Sequence, residues 1–172
     1  MKTQTYIALL RAVNVGGTGK LPMADLRGMC EALGFANVRT YIASGNVVFE
    51  AALNAADVRA GLEAKLAEYA GKAVGVYVRE RHELKAVLAV NPFADAPGNA
   101  TVVIFLDGAP PADTLSKISG QADEKVVLGL REIYVHYPSG MGQSKLKIPA
   151  AKAGTARNMN TVANLVEMAG RG

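Results

Sequence analysis

The sequence predicts an α+β fold made of two ferredoxin-like halves packed together, the second incomplete and followed by a C-terminal helix. Three observations carry this. Over residues 1–80, short β-rich runs and helical stripes follow one another in the order βαββαβ. Over residues 81–172 a similar order returns, without a recognisable closing strand. Several strands are also apolar on both faces, as in Tyr6, Ala8 and Leu10 against Ile7 and Leu9. A sheet with one wet face would alternate, so the second face is expected to be covered as well. The two halves, 1–80 and 81–172, are read as one compact unit. A chain of 172 residues buries enough surface to need no covalent staples.

The elements follow in order. Thr5 to Arg11 is a strand, too short and β-rich for a helix, and it reads as a strand rather than a signal peptide. Pro22 opens a helix where a missing N–H costs nothing, with Met23, Leu26, Met29, Cys30 and Leu33 as its stripe and Gly34 at its end. "NVRTYIASGNVVFE" is a hairpin turning at Ser44-Gly45-Asn46. Asn54 caps a helix striped by Val58, Leu62, Leu66 and Tyr69 and ended by Gly71, and "KAVGVYVRE" is the next strand. Glu83 to Val90 is a helix stopped by Asn91-Pro92. Thr101 to Leu106 is a strand, and Pro111 starts a short helix carrying Leu115 and Ile118. The strands "KVVLGL" and "EIYVHY" precede a long loop, "PSGMGQSKLKIPAAKAG", which runs into a last helix striped by Val162, Leu165, Val166 and Ala169.

Composition narrows the function classes. Half the residues are apolar and 20% are charged, so the chain is neither disordered nor, with its short apolar runs, membrane-spanning. Net charge is +4, which permits a phosphorylated ligand or nucleic acid without demanding either. The single cysteine, Cys30, excludes an internal disulfide, fits a reducing cytoplasm, and reads as a small buried hydrophobe.

"RAVNVGGTGKLPMADL" (Arg11 to Leu26) resembles a triphosphate loop but is not one. The G-x-x-x-x-G-K-[ST] pattern would need glycine at Asn14 and a hydroxyl at Leu21, and Pro22 removes an N–H from the helix start. A looser nest of amides around Gly16, Gly17 and Gly19, with Lys20 as a point charge, is compatible with an anion. Ser144 and Lys145, within "SGMGQSKLK", combine a hydroxyl and a cation among small residues. In "GTARNMNTV", Arg157 offers a fork suited to phosphate, and Thr155 or Asn158 can cap the last helix. No metal site is read: His82 and His136 lack a second ligand at suitable spacing. Tyr134 and His136 share one strand face, which keeps a proton-transfer role open, and no catalytic residue is assigned.

Taken together, "YIALLRAVNVGGTGKLPMADLR", "LGFANVRTYIASGNVVF", "NPF", "GMGQSKL" and "GTARNMNTV" resemble the bacterial family catalogued as domain of unknown function 1697, from about Tyr6 to Met168. Relative to the family pattern, Ala12 stands where glycine is usual and Met159 where tryptophan is common. The resemblance implies two ferredoxin-like halves and no activity. Its shared residues fall mostly in loops, which points to a site more than to packing.

The expected site gathers Arg11, Asn14, Gly16, Gly17, Lys20, Ser44, Asn46, Ser144, Lys145, Arg157 and Asn158 around a small anionic or phosphorylated ligand. Cofactor, reaction and oligomeric state are left open. Two other readings stand beside it. One is a nucleic-acid-binding module, weakened by the absence of Trp and an aromatic content of only 6%. The other is a structural or partner-binding protein with no small ligand.

Overall fold

A computed structural model describes residues 2–12 and 20–171. Its elements are β1 (Gln4–Leu10), α1 (Met23–Ala32), β2 (Ala36–Thr40), β3 (Asn46–Ala51), α2 (Ala55–Ala70), β4 (Val76–Glu80) and α3 (Arg81–Ala89). They continue with β5 (Thr101–Phe105), β6 (Lys125–Leu128), β7 (Glu132–His136), β8 (Thr155–Asn158) and α4 (Met159–Gly170). The chain divides into two compact units. One comprises Met1–Lys85 together with Asn164–Gly172, and the other Ala86–Ala163.

The first unit carries an antiparallel sheet in the order β2-β3-β1-β4, the ferredoxin-like arrangement that βαββαβ order predicts. Tyr6, Ala8, Leu10, Val47 and Phe49 point to one face, where Leu26 and Cys30 of α1 and Val58, Leu62 and Leu66 of α2 close the core. Phe35 stacks on Phe49 with ring centroids 4.5 Å apart. Cys30 lies in this core, where burial, with the charge of Glu31 adding, pushes its thiol up to about 12. The opposite face is buried too: Ile7, Leu9, Val48 and Tyr77 are all at most 4% exposed. The caps are where sequence placed them. Asn54 Oδ1 accepts from Asp57 N–H at 2.8 Å, and Gly71 ends α2 in the left-handed conformation with φ 72°. Tyr69 is a correction. It is half-exposed rather than in the α2 stripe, and its hydroxyl donates to Asp25 at 2.8 Å.

The second unit repeats the topology with strand order β6-β7-β5-β8. Here the expected missing strand is present. Thr155–Asn158, read as a loop, is β8, and it pairs antiparallel with β5 (Val103 opposite Arg157). The residues it buries are Thr155 and Arg157, so its alternation inverts the usual apolar signal. What is reduced in this half is the helices. The helix expected from Pro111 is a single 3-10 turn, Leu115–Lys117, with Leu115 exposed. Thr114 and Ser116 each bond a backbone carbonyl three residues back, which competes with helix propagation. A further 3-10 turn, Pro149–Ala153, precedes β8. The core face (Val102, Ile104, Ile133 and Val135) is closed by Ile118, Leu146, Ile148 and Ala151 from these turns and the long loop. Among the described residues, no helix is long and apolar enough to cross a membrane.

Candidate functional site

The carboxyl end of β1 is where several of the singled-out residues meet. Leu9 pairs with Asn46 of β3 and Leu10 with Val76 of β4. One residue further, Leu10 N–H donates to Gly45 O and Arg11 N–H to Gly75 O, both at 2.9 Å. Arg11 and the Ser44-Gly45-Asn46 turn therefore share one end of the sheet. Asn46 is fully buried, and its amide donates to Tyr41 O at 2.9 Å and Ser44 Oγ at 2.8 Å, which fixes the turn from inside. Arg11 is exposed, with its stem over Gly75, and Lys20 is exposed next to the buried Leu21. Asn14, Gly16 and Gly17 lie outside the described residues.

Two strained residues lie at this end. Among the described residues three non-glycines have positive φ: Ala12 (54°), Asn37 (50°) and Ile42 (50°). Asparagine tolerates that region, whereas alanine and above all a β-branched residue do not. Ala12 follows Arg11, and Ile42 is a half-exposed member of the turn that holds Ser44. Sequence reasoning missed Tyr41, whose hydroxyl accepts from Asn164 Nδ2 at 3.0 Å across 123 residues of chain. It also missed Arg79, 2% exposed on the otherwise apolar second face of the sheet.

In the second unit the singled-out residues have local partners. Ser144 Oγ donates to the carboxylate of the buried Glu124, which also accepts from Ala122 N–H at 2.6 Å. The Ser144 hydroxyl, foremost, and these backbone bonds hold the Glu124 carboxyl below the ordinary carboxylate range. Lys145 is exposed beside it. Arg157 is buried, and its Nη1 donates to Thr155 Oγ1 at 2.7 Å and Ala156 O at 2.9 Å. Burial lowers its guanidinium to about 10, so it remains a cation at neutral pH. Asn158 Oδ1 accepts from Thr161 N–H at 2.8 Å, the N-cap of α4. Tyr134 is buried, its phenol pushed up to about 12 by burial and, less, by Glu132, and it donates to Val87 O at 3.3 Å. It is therefore a protonated donor to backbone at neutral pH. His136 Nδ1 lies 3.3 Å from Ala100 O, its ring centroid 5.4 Å from that of Phe93.

Replacing Ser144 by alanine removes the foremost group that keeps Glu124 ionised. A carboxylate with a depressed folded-state pKa contributes stability above its unfolded value, and this is lost as pH falls through the folded value. Ser144→Ala is therefore expected to move the acid-unfolding midpoint, followed by circular dichroism, to higher pH. An unchanged midpoint would show that the Ser144 bond does not govern Glu124.

A concavity of about 400 Å³ lies at the other end of β1 between Thr3, Thr5, Glu80, Arg81 and Lys85. It is shallow, and Arg81 Nε is already engaged with Val166 O at 3.2 Å. Among the described residues, the strand aromatics Tyr6, Phe49, Tyr77, Phe105 and Tyr134 are all buried, whereas RNA-recognition sheets expose theirs for base stacking.

The profile of a family described as protein of unknown function, DUF1697, matches residues 3–134. The chain is also similar to a solved structure, that of the conserved bacterial protein SP0830 from Streptococcus pneumoniae. The two share 25% identity with a TM-score of 0.81, over 98% of this chain and 99% of that one. No curated protein matches the chain.

Proposed function

We propose that this chain, which belongs to the DUF1697 family of proteins of unknown function, binds a small anionic, phosphorylated ligand at the carboxyl end of β1. The observation that supports this reading is the coincidence of strain and charge. Ala12 and Ile42, two of the three described non-glycines with positive φ, flank an end that also carries the exposed Arg11. Strain of this kind costs about 1–3 kcal/mol per residue and persists where surrounding structure enforces it, most often at binding and catalytic sites. The Arg11 guanidinium supplies a fork for two phosphate oxygens, and Lys20 supplies a compact point charge. Asn46, buried under the turn, holds Ser44 in place rather than reaching the ligand itself.

Calorimetry with inorganic phosphate, nucleotides and sugar phosphates tests the reading. At least one probe is expected to bind, with affinity falling about tenfold or more in Arg11→Gln, as the loss of a charge-assisted hydrogen bond requires. If no probe binds, or if Arg11→Gln binds as tightly as the wild type, the site is elsewhere or absent.

A further inference from the structure

Of the three described non-glycines with positive φ, Ile42 is the one whose chemistry fits that backbone least. Asparagine takes the region readily and alanine brings a single methyl, but a β-branched side chain there is a genuine outlier. Ile42 is also 50% exposed, so half of an apolar surface is left in water. Glycine or asparagine would remove the first penalty, and any polar residue the second. Their coincidence in one residue points to a side chain kept for contact with something else. On the basis of the anion site proposed above, we infer that the ligand at the carboxyl end of β1 is a nucleotide, and that Ile42 covers the flat face of its base.

The turn holds Ile42 still. Tyr41, the residue before it, is fastened at three atoms. Its N–H donates to Asn46 O at 3.0 Å, its carbonyl accepts from Asn46 Nδ2 at 2.9 Å, and its hydroxyl accepts from Asn164 Nδ2 at 3.0 Å. On the far side of the turn, Ser44 Oγ accepts from the same Asn46 amide at 2.8 Å, and Gly45 O accepts from Leu10 N–H at 2.9 Å. A residue between fastened neighbours cannot relax into ordinary backbone. A β-branched side chain is in addition stiff about χ1, so little freedom is lost when a ligand meets it.

Spacing across the sheet agrees with a ligand that has two unlike ends. Ile42 follows β2, whose end is bonded to Asn46 of β3, and Asn46 in turn faces Leu9 of β1. The stem of Arg11 lies over Gly75, next to β4. The cation and the apolar side chain therefore stand two to three strand spacings apart, about 10–14 Å. Inorganic phosphate fills only the Arg11 end of such a site. A sugar phosphate sets hydroxyls, which water already satisfies, against isoleucine. A nucleotide carries its phosphate and its base at opposite ends of a ribose, and a base offers an apolar face.

Calorimetry on the full chain with AMP and with ribose 5-phosphate is the test. The wild type is expected to bind AMP about tenfold more tightly, the effect of covering the exposed half of one isoleucine. Ile42→Gly and Ile42→Asn are expected to bring the two affinities level. Urea unfolding adds a readout that a purely structural role moves the other way. Glycine relieves the strain, so Ile42→Gly is expected to unfold at the same or a higher urea concentration than the wild type. A lower midpoint would mean that the side chain serves the fold, and would overturn its assignment to a base. Equal binding of the two probes by the wild type, or a preference that survives in Ile42→Gly, would overturn it as well while leaving the anion site standing. If neither probe binds, the anion site itself falls and the nucleotide with it.

Discussion

Gly120→Ala is expected to destabilise the second unit by about 2–5 kcal/mol, a large share of the stability of a small protein. Two separate costs add at this position. Gly120 has φ 69°, a conformation that disfavours any Cβ. A Cβ placed there would also lie 2.0 Å from Lys145 O, which is backbone and can yield only if the loop moves. Ser119 and Lys147 are bridged next to it, with N–H···O distances of 3.1 and 2.8 Å in the two directions. Pushing the loop away therefore breaks this bridge, the Ser144 bond to Glu124 and the cover that Leu146 and Ile148 give the core. Two other glycines of the same region separate the terms. Gly140 has φ 85° and open space, so alanine there pays the backbone strain alone, about 1–2 kcal/mol. Gly142 has open space and no positive φ, and alanine there is expected to be within ±0.5 kcal/mol of neutral. Urea unfolding followed by far-ultraviolet circular dichroism ranks the three. A Gly120→Ala midpoint equal to that of Gly140→Ala would show that the close approach to Lys145 costs nothing.

The same contrast explains what a reading of the sequence can reach. Local signals with a mechanism were legible: the Asn54 cap, the Gly71 end, the Gly45 turn (φ 89°) and the apolar stripes of α1 and α2. Their physics is complete within a few residues. β8 was not legible, because a strand that buries Thr155 and Arg157 and exposes Ala156 reverses the pattern that marks a strand. Pro111 suggested a helix start, but hydroxyls at Thr114 and Ser116 stop the turn at once. The candidate site divides in the same way. Arg11 and Ser44 could be placed together because a hairpin turn and the end of its neighbouring strand must share one edge of a sheet. The partner of Ser144 could not, because Glu124 is 20 residues away and nothing in a loop sequence announces its fold-back. Arg79 was equally hidden, since a buried arginine on a strand looks like an exposed one until the second face is known to be covered.

Removing Arg39 is expected to undock the last turns of α4. The final carbonyls of a helix have no partner within it, and they form the negative end of its dipole. α4 has no basic residue in its own last turn to answer them. The cations come from elsewhere in the first unit. Arg39, on β2, donates through Nη1 to Met168 O at 2.5 Å and to Arg171 O at 2.7 Å, with Nε held by Asn37 O at 3.2 Å. Arg81 adds its bond to Val166 O, and Tyr41, two residues beyond Arg39, receives Asn164. Hydrogen bonds from charged donors contribute about 1.5–3 kcal/mol each, so Arg39→Ala is expected to cost about 2–4 kcal/mol, two bonds sharing one nitrogen. Arg39→Lys keeps a cation near the dipole and recovers only about 0.5–1 kcal/mol of it, since lysine has no second nitrogen to take over the Nε bond to Asn37 O that aims the group. The loss should be local. Amide exchange is expected to quicken over residues 164–171 while the amides of α1 and α2 keep their protection. Arg81→Ala in the Arg39→Ala background should then cost less than it does alone, because both arginines answer the same helix end. If residues 164–171 keep wild-type protection in Arg39→Ala, apolar packing of Leu165, Val166 and Ala169 holds the helix and the arginines are incidental to it.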